Sequence, residues 1–212
     1  MEELNDYSGP YKPDLRLEDL SKGFLIKLME EYQYAWLRLS GAWYDYVKEK
    51  FGAEAANEGE LVAWCRMAEL INPRYAKLAN IQLNTVVDSL KASQLPLDNK
   101  RVDGLSPPGE DDIITPNHVI MTVKKCRVLE FFERSAPERI EPMCHVLEQE
   151  AMYRYFINPY IKIRALKLPP RKSPDEIPCQ WELTMSNEKQ WEPGQWSKWL
   201  TEKWRSEGKL SK

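Results

Sequence analysis

The side chains in this 212-residue chain with the most distinctive reactivity are four cysteines and two histidines. Cys144 and His145 follow Pro142, a residue suited to the first turn of a helix. In that first turn, orphan amide groups and the positive end of the helix dipole would stabilise a thiolate. Cys144 is therefore a candidate catalytic nucleophile or soft metal ligand. His145, with an unperturbed pKa of about 6.5, is the candidate acid or base. Adjacent helical residues diverge by about 100°, so a further residue would have to complete any dyad. Cys179 shares one face of a predicted strand with Trp181, Leu183 and Met185, which directs its thiol toward the core. Cys126, Cys144 and Cys179, with His145, could supply the thiolate and imidazole set that zinc favours. They come from separate elements and include no Cys-x-x-Cys pair, so inert buried thiols are the alternative. His118 stands apart as a ligand, because eight strand residues, about 26 Å at strand rise, separate it from Cys126. Trp36, Trp43 and Tyr44 on the first helix, with Trp181, are candidate ligand-binding residues for a planar or apolar molecule. Ordinary packing of a helix face is the alternative.

These residues need elements to position them. Residues 1–16 contain Gly9, Pro10 and Pro13 and read as an extended arm. Residues 17–187 read as a single α+β domain, divided into a helical half (17–95), a loop (96–117) and a mixed half (118–187). In the helical half, Leu25, Leu28, Met29, Tyr32, Trp36, Leu39, Trp43, Tyr46 and Val47 recur at steps of three and four. That spacing marks one broad helix face directed at the core. Gly52 ends this helix as its C-terminal cap. A second helix is predicted from Ala53 to Leu70, and Asn72-Pro73 marks a break before a third that runs to Ser93. The mixed half has a strand from His118 to Leu129, a helix from Pro142 to Ile157, and strands over Tyr160–Leu168 and Cys179–Met185. The expected architecture is a helical layer packed on a small antiparallel sheet. Residues 188–212 form a tail with Trp191, Trp196, Trp199 and Trp204, the last three at helical spacing. It reads either as a last helix folded over the domain or as a segment that binds a protein partner.

Composition bounds the partners. With 30 basic and 33 acidic side chains the net charge is −3, and no basic run interleaves with aromatics, so no nucleic acid is expected. No segment has the roughly 18–20 apolar residues that span a bilayer, so no membrane association is expected. The start of the chain lacks a basic stretch followed by an apolar region, which points to a cytoplasmic protein. Four scattered cysteines then read as thiols or metal ligands rather than a disulfide framework.

The stretch from Cys144 through Cys179-Gln180-Trp181-Glu182-Leu183 resembles the end of the vinyl-4-reductase domain, in which a Cys-led helix, a strand and a closing Cys-x-aromatic strand recur. Over residues 20–186, Trp36, Gly41-x-Trp43, Phe51-Gly52, Trp64, Glu69, Lys125-Cys126, Cys144, Pro169-Pro170 and Cys179-x-Trp181 together resemble an uncharacterised prokaryotic family. That family is similar to the L-2-amino-thiazoline-4-carboxylic acid hydrolases. The resemblance implies a small-molecule-binding protein, and a hydrolase acting on a cyclic amidine or related C–N bond. The alternative is a non-catalytic accessory subunit that docks on a larger enzyme through the Trp-rich tail. The vinyl-4-reductase resemblance also implies a zinc site whose outer ligands match Cys144 and Cys179. Its middle positions fall on Arg164 and Lys167, which cannot replace a carboxylate and a thiolate and leave a tetrahedral site half filled.

Overall fold

The computed structural model describes residues 3–96, 111–192, 202–203 and 206–208. The fold is α+β, with N-terminal helices and a four-stranded antiparallel sheet. Contacts divide the chain into two compact units, Met1–Trp43 and Tyr44–Lys212.

In the first unit the residues before α1 are mostly irregular. A single parallel bridge joins Leu4 to Leu20, and a short 3₁₀ turn spans Leu17–Asp19. Helix α1 (Lys22–Phe51) runs through the division between the units. The face on which it is buried differs from the one expected. Gln33 is buried and Leu37 and Ser40 are half-buried, whereas Met29, Tyr32, Trp36, Leu39 and Trp43 are exposed. The covered positions lie about 100° round from the apolar stripe, and Gln33 and Ser40 make that face polar, so apolar periodicity points to the other one.

In the second unit, Gly52 ends α1 with φ of 91°, a conformation that favours glycine. Helix α2 (Ala53–Leu78) continues through Pro73, where a break was expected. Proline there forfeits one hydrogen bond and crowds the preceding turn, at a cost of about 3 kcal/mol. Leu61, Cys65, Ala68, Asn72 and Ala76 form a buried stripe on both sides of Pro73, and burial of that stripe keeps the helix intact. The stop comes at Asn80, which adopts φ of 53° while the Ile81 amide donates to the Ala76 carbonyl, closing a left-handed helix end. Helix α3 (Val86–Ser93) then starts from a reciprocal cap. Thr85 Oγ1 accepts from the Asp88 amide and Asp88 Oδ2 accepts from the Thr85 amide, both at 3.1 Å.

Strand β1 (Asp111–Thr115) lies within the stretch expected to be loop; residues 97–110 of that stretch fall outside the described residues. It pairs with β2 (His118–Val123) across the two-residue turn Pro116-Asn117, with Ile113 opposite Val119. Its Asp-Asp start reads as loop composition, and cross-strand pairing overrides that preference. Strand β2 ends at Val123 rather than at Leu129. Helix α4 (Arg127–Ser135) follows, capped by Cys126, with Leu129 and Phe132 buried three residues apart. A continuous helical run from Pro137 to Tyr155 comes next: a 3₁₀ turn, a π-helical segment (Glu141–Leu147), and α5 (Glu148–Tyr155). Strands β3 (Ile161–Lys167) and β4 (Cys179–Met185) complete the sheet in the order β1-β2-β4-β3, with Val119 opposite Leu183 and Ile163 opposite Leu183 on the other side.

Two apolar cores result. One lies on the sheet, where Val119, Met121, Ile161, Ile163, Trp181 and Leu183 pack against α3 and α5. The other, among the helices, holds Leu61, Cys65, Phe132, Met143, Leu147 and Ala151. Two of the described tail residues, Trp191 and Lys203, contact the body of this unit. The Arg154 guanidinium lies 5.6 Å from the Trp191 ring centroid, and Lys203 pairs with Glu54 at 2.6 Å and Glu58 at 3.5 Å. Trp196, Trp199 and Trp204, and with them the expected helix, lie outside the described residues.

Candidate functional site

Cys126, Cys144 and Cys179 come from three elements and lie near enough to influence one another's charge. In the β2–β4 ladder Val123 stands opposite Cys179, and Cys126 follows three residues later as the cap of α4, its Sγ accepting from the Leu129 amide at 3.4 Å. Cys179 packs against the sheet core, and its Sγ accepts the indole N–H of Trp181 at 3.2 Å. Cys144 packs against the helical core from within the π-helical segment. In that segment the backbone widens by one residue, the Glu148 amide donating to the Met143 carbonyl. Such wide turns are rare and occur frequently at functional sites.

This placement corrects the environment expected for Cys144. The helical run begins at Pro137, not at Pro142, so Cys144 is not in a first turn and receives no help from the dipole's positive end. Burial pushes its thiol far above the ordinary thiol range. The negative charge of Glu148 acts in the same direction. Burial likewise pushes Cys179 up to about 12, although the Trp181 N–H partly offsets it. Both thiols are therefore protonated at neutral pH.

His145 makes no hydrogen bond to Cys144 among the described residues. Its Nε2 lies 2.6 Å from the carbonyl oxygen of Pro169, which only accepts, so the ring N–H donates there and ties the helical run to the β3–β4 connection. The donor set of three thiols with Glu148 nearby suits a soft cation chemically. Among the described residues, however, no three His, Cys, Asp or Glu side chains are disposed to hold a metal ion. Arg164 and Lys167 are engaged elsewhere. Arg164, exposed on β3, bonds Glu182 through Nε at 2.8 Å, and Lys167 pairs with Glu176 at 2.5 Å.

The candidate aromatic residues are in separate settings. Trp36 and Trp43 are exposed on α1. Tyr44 is buried; its hydroxyl donates to Asn57 Oδ1 at 3.0 Å and its ring lies 3.7 Å from the Arg139 guanidinium, which also covers Phe132. Trp181 fills the sheet core.

Sequence reasoning missed the charged groups around the thiols. Glu148 sits four residues after Cys144, the spacing that puts two helical side chains on one face, and that was the available signal. Glu133 on α4 bonds Arg171 Nε at 3.0 Å, and Arg171 also donates to the Pro174 carbonyl at 2.9 Å, bracing the β3–β4 connection beside Cys126. That pair joins residues far apart in sequence and leaves no local pattern.

The chain belongs to DUF6125, a family of unknown function, whose model matches residues 18–185. No curated protein and no solved structure matches it.

Proposed function

From membership of DUF6125 as the premise, we propose that the protein binds a small molecule without turning it over, using the thiols of Cys126, Cys144 and Cys179 as soft, neutral contacts. The observation that carries this reading is the state of Cys144. A nucleophilic cysteine needs a depressed pKa or an adjacent base. Cys144 shows neither: burial, reinforced by the charge of Glu148, holds the thiol protonated, and among the described residues no hydrogen bond joins it to the His145 ring, whose Nε2 is engaged with Pro169. The π-helical segment that presents Cys144 and the meeting of three thiols from three elements support a binding role over simple core filling.

The resemblance to L-2-amino-thiazoline-4-carboxylic acid hydrolases selects the ligand class, a cyclic amidine bearing a carboxylate, and that acid is the probe. The test follows thermal stabilisation of the full chain by the probe alongside ring opening monitored by mass spectrometry. A rise in Tm that Cys144→Ser diminishes, with no ring opening, is expected. Enzyme-dependent ring opening establishes the hydrolase instead, and no rise in Tm overturns binding of this class.

A further inference from the structure

Two polar side chains of the second unit are buried without a hydrogen-bond partner among the described residues. Asn72 is 2 % exposed and Ser89 is fully covered, and neither Oδ1 nor Nδ2 of Asn72, nor Oγ of Ser89, meets a donor or acceptor. Asn72 lies on the stripe of α2 that is otherwise Leu61, Cys65, Ala68 and Ala76, where an apolar side chain is covered at no such cost. On α3, Val86 and Leu90 pack into the sheet core, while Ser89 and Ala92, three residues apart, form the other buried side of the helix. α3 packs on α2 as well as on β2 and β4. The Ile81 amide, bonded to the Ala76 carbonyl, starts the connection to α3 beside the last turns of α2. The end of α2 that carries Asn72 therefore faces the side of α3 that carries Ser89.

Local bonding does not absorb these groups. A serine within a helix commonly returns its hydroxyl to a carbonyl one turn earlier, as Ser93 does to Leu90 at 2.8 Å. Ser89 does not, and the Asn72 side chain makes no bond within α2. Buried polar groups left unpaired are rare, because each forfeits its hydration. The usual remedy is an internal water, about one for every 27 residues, held by about three hydrogen bonds to groups of this kind. Asn72 and Ser89 offer three such atoms, with donors and acceptors among them. A water both donates and accepts, so a bridge between them holds for either orientation of the amide. A hard cation would take about six oxygen ligands, carboxylates among them, whereas one amide and one hydroxyl are neutral and few. Both side chains are covered, so the occupant is small.

We propose that at least one buried water bridges the Asn72 amide to the Ser89 hydroxyl and joins α2 to α3. The site is independent of the ligand reading above.

Oxygen-17 relaxation dispersion, which counts waters held long enough to tumble with the protein, tests this on the full chain. Asn72→Leu should remove at least one such water relative to wild type, and Ser89→Ala should lower the same signal. Ser93→Ala, which loses only a bond to its own helix, should leave it unchanged. In wild type, the Asn72 side-chain amide protons should show a rotating-frame Overhauser peak to water, whose sign separates contact from proton exchange. That peak and Ser89→Ala, the loss of a single oxygen atom, carry the test if Asn72→Leu does not fold. An unchanged count in both variants, no such peak, or a crystal structure in which the amide bonds Ser89 Oγ directly overturns the proposal. A loss shared equally by Ser93→Ala overturns it as well.

Discussion

Replacing Arg154 with methionine should cost the second unit a large fraction of its stability. The Arg154 side chain is 2 % exposed. Its Nε donates to Glu69 Oε1 at 2.8 Å, its Nη1 donates to the Glu150 carbonyl at 2.7 Å, and its guanidinium lies over the Trp191 ring. It thereby ties α2, α5 and the root of the tail together. Methionine fills similar volume but supplies no donor, so the Glu69 carboxylate, itself 14 % exposed, loses its counter-charge. Removing one partner of a buried pair costs about 3–5 kcal/mol, because the remaining charge is left desolvated. For a domain of this size each kcal/mol lowers Tm by about 2–4 °C, so a fall of roughly 10 °C is expected. Thermal unfolding followed by circular dichroism gives the number, and a cycle with Glu69→Leu gives the cause. The double variant should be more stable than the sum of the single effects implies, by about 0.5–3 kcal/mol. A fall in Tm below about 2 °C for Arg154→Met, or strict additivity in the cycle, would refute the reasoning that burial makes this pair interdependent.

Two further outcomes follow from single residues. Cys65 is buried, and burial pushes its thiol from 9.0 up to about 11. Above about pH 9 the unfolded chain gives up that proton while the folded chain keeps it, so this contribution to stability is full below pH 9 and declines toward pH 11. The slope is about 1.4 kcal/mol per pH unit for each such thiol. Denaturant midpoints of Cys65→Val should therefore fall less steeply than wild type between about pH 9 and pH 11; parallel curves would count against it. Gly52→Ala should destabilise by about 1–3 kcal/mol, because its φ of 91° with ψ of 166° lies in a region essentially restricted to glycine and an added Cβ meets nothing within 4 Å, so the cost is purely conformational. Urea unfolding reads it, and an unchanged midpoint means that the position tolerates a side chain.

The closing strand was the most legible part of the fold. β4 alternates apolar and polar residues between clear turn signals, and its expected limits match those observed, Cys179–Met185. β1 was not legible, since an Asp-Asp start after a Pro- and Gly-rich stretch reads as loop until a partner strand supplies its hydrogen bonds. The start of α4 was read as part of β2, although Lys125 and Arg127 already break the apolar alternation of Val119, Met121 and Val123; the Leu129-to-Phe132 step that marks the helix lies just beyond. Pro73 was given more weight than it has, because a local rule cannot count the burial on both sides of it.

At the site, residue type singled out the thiols as candidates, and the period-two face of β4 placed Cys179 against the sheet core, where it packs. The chemical state of Cys144 was not legible. It depends on where the helical run starts, on burial, and on Glu148 and the other thiols, none of which follows from Pro142 alone. The aromatic stripe of α1 was visible as a pattern, but the covered face beside it contains Gln33 and Ser40, and only the packed structure distinguishes the covered face from the exposed one.

The central claim is that Cys144 is a neutral contact thiol. Its most direct test is the pH dependence of alkylation at each cysteine, resolved by mass spectrometry after brief exposure of the folded protein to iodoacetamide. Cys144 should react at least about tenfold more slowly at neutral pH than it does in urea, with a rate still rising beyond about pH 9, as expected of a thiol whose thiolate is disfavoured. Rapid labelling of Cys144 at neutral pH, with a rate already on a plateau, would reveal a thiolate and contradict the account.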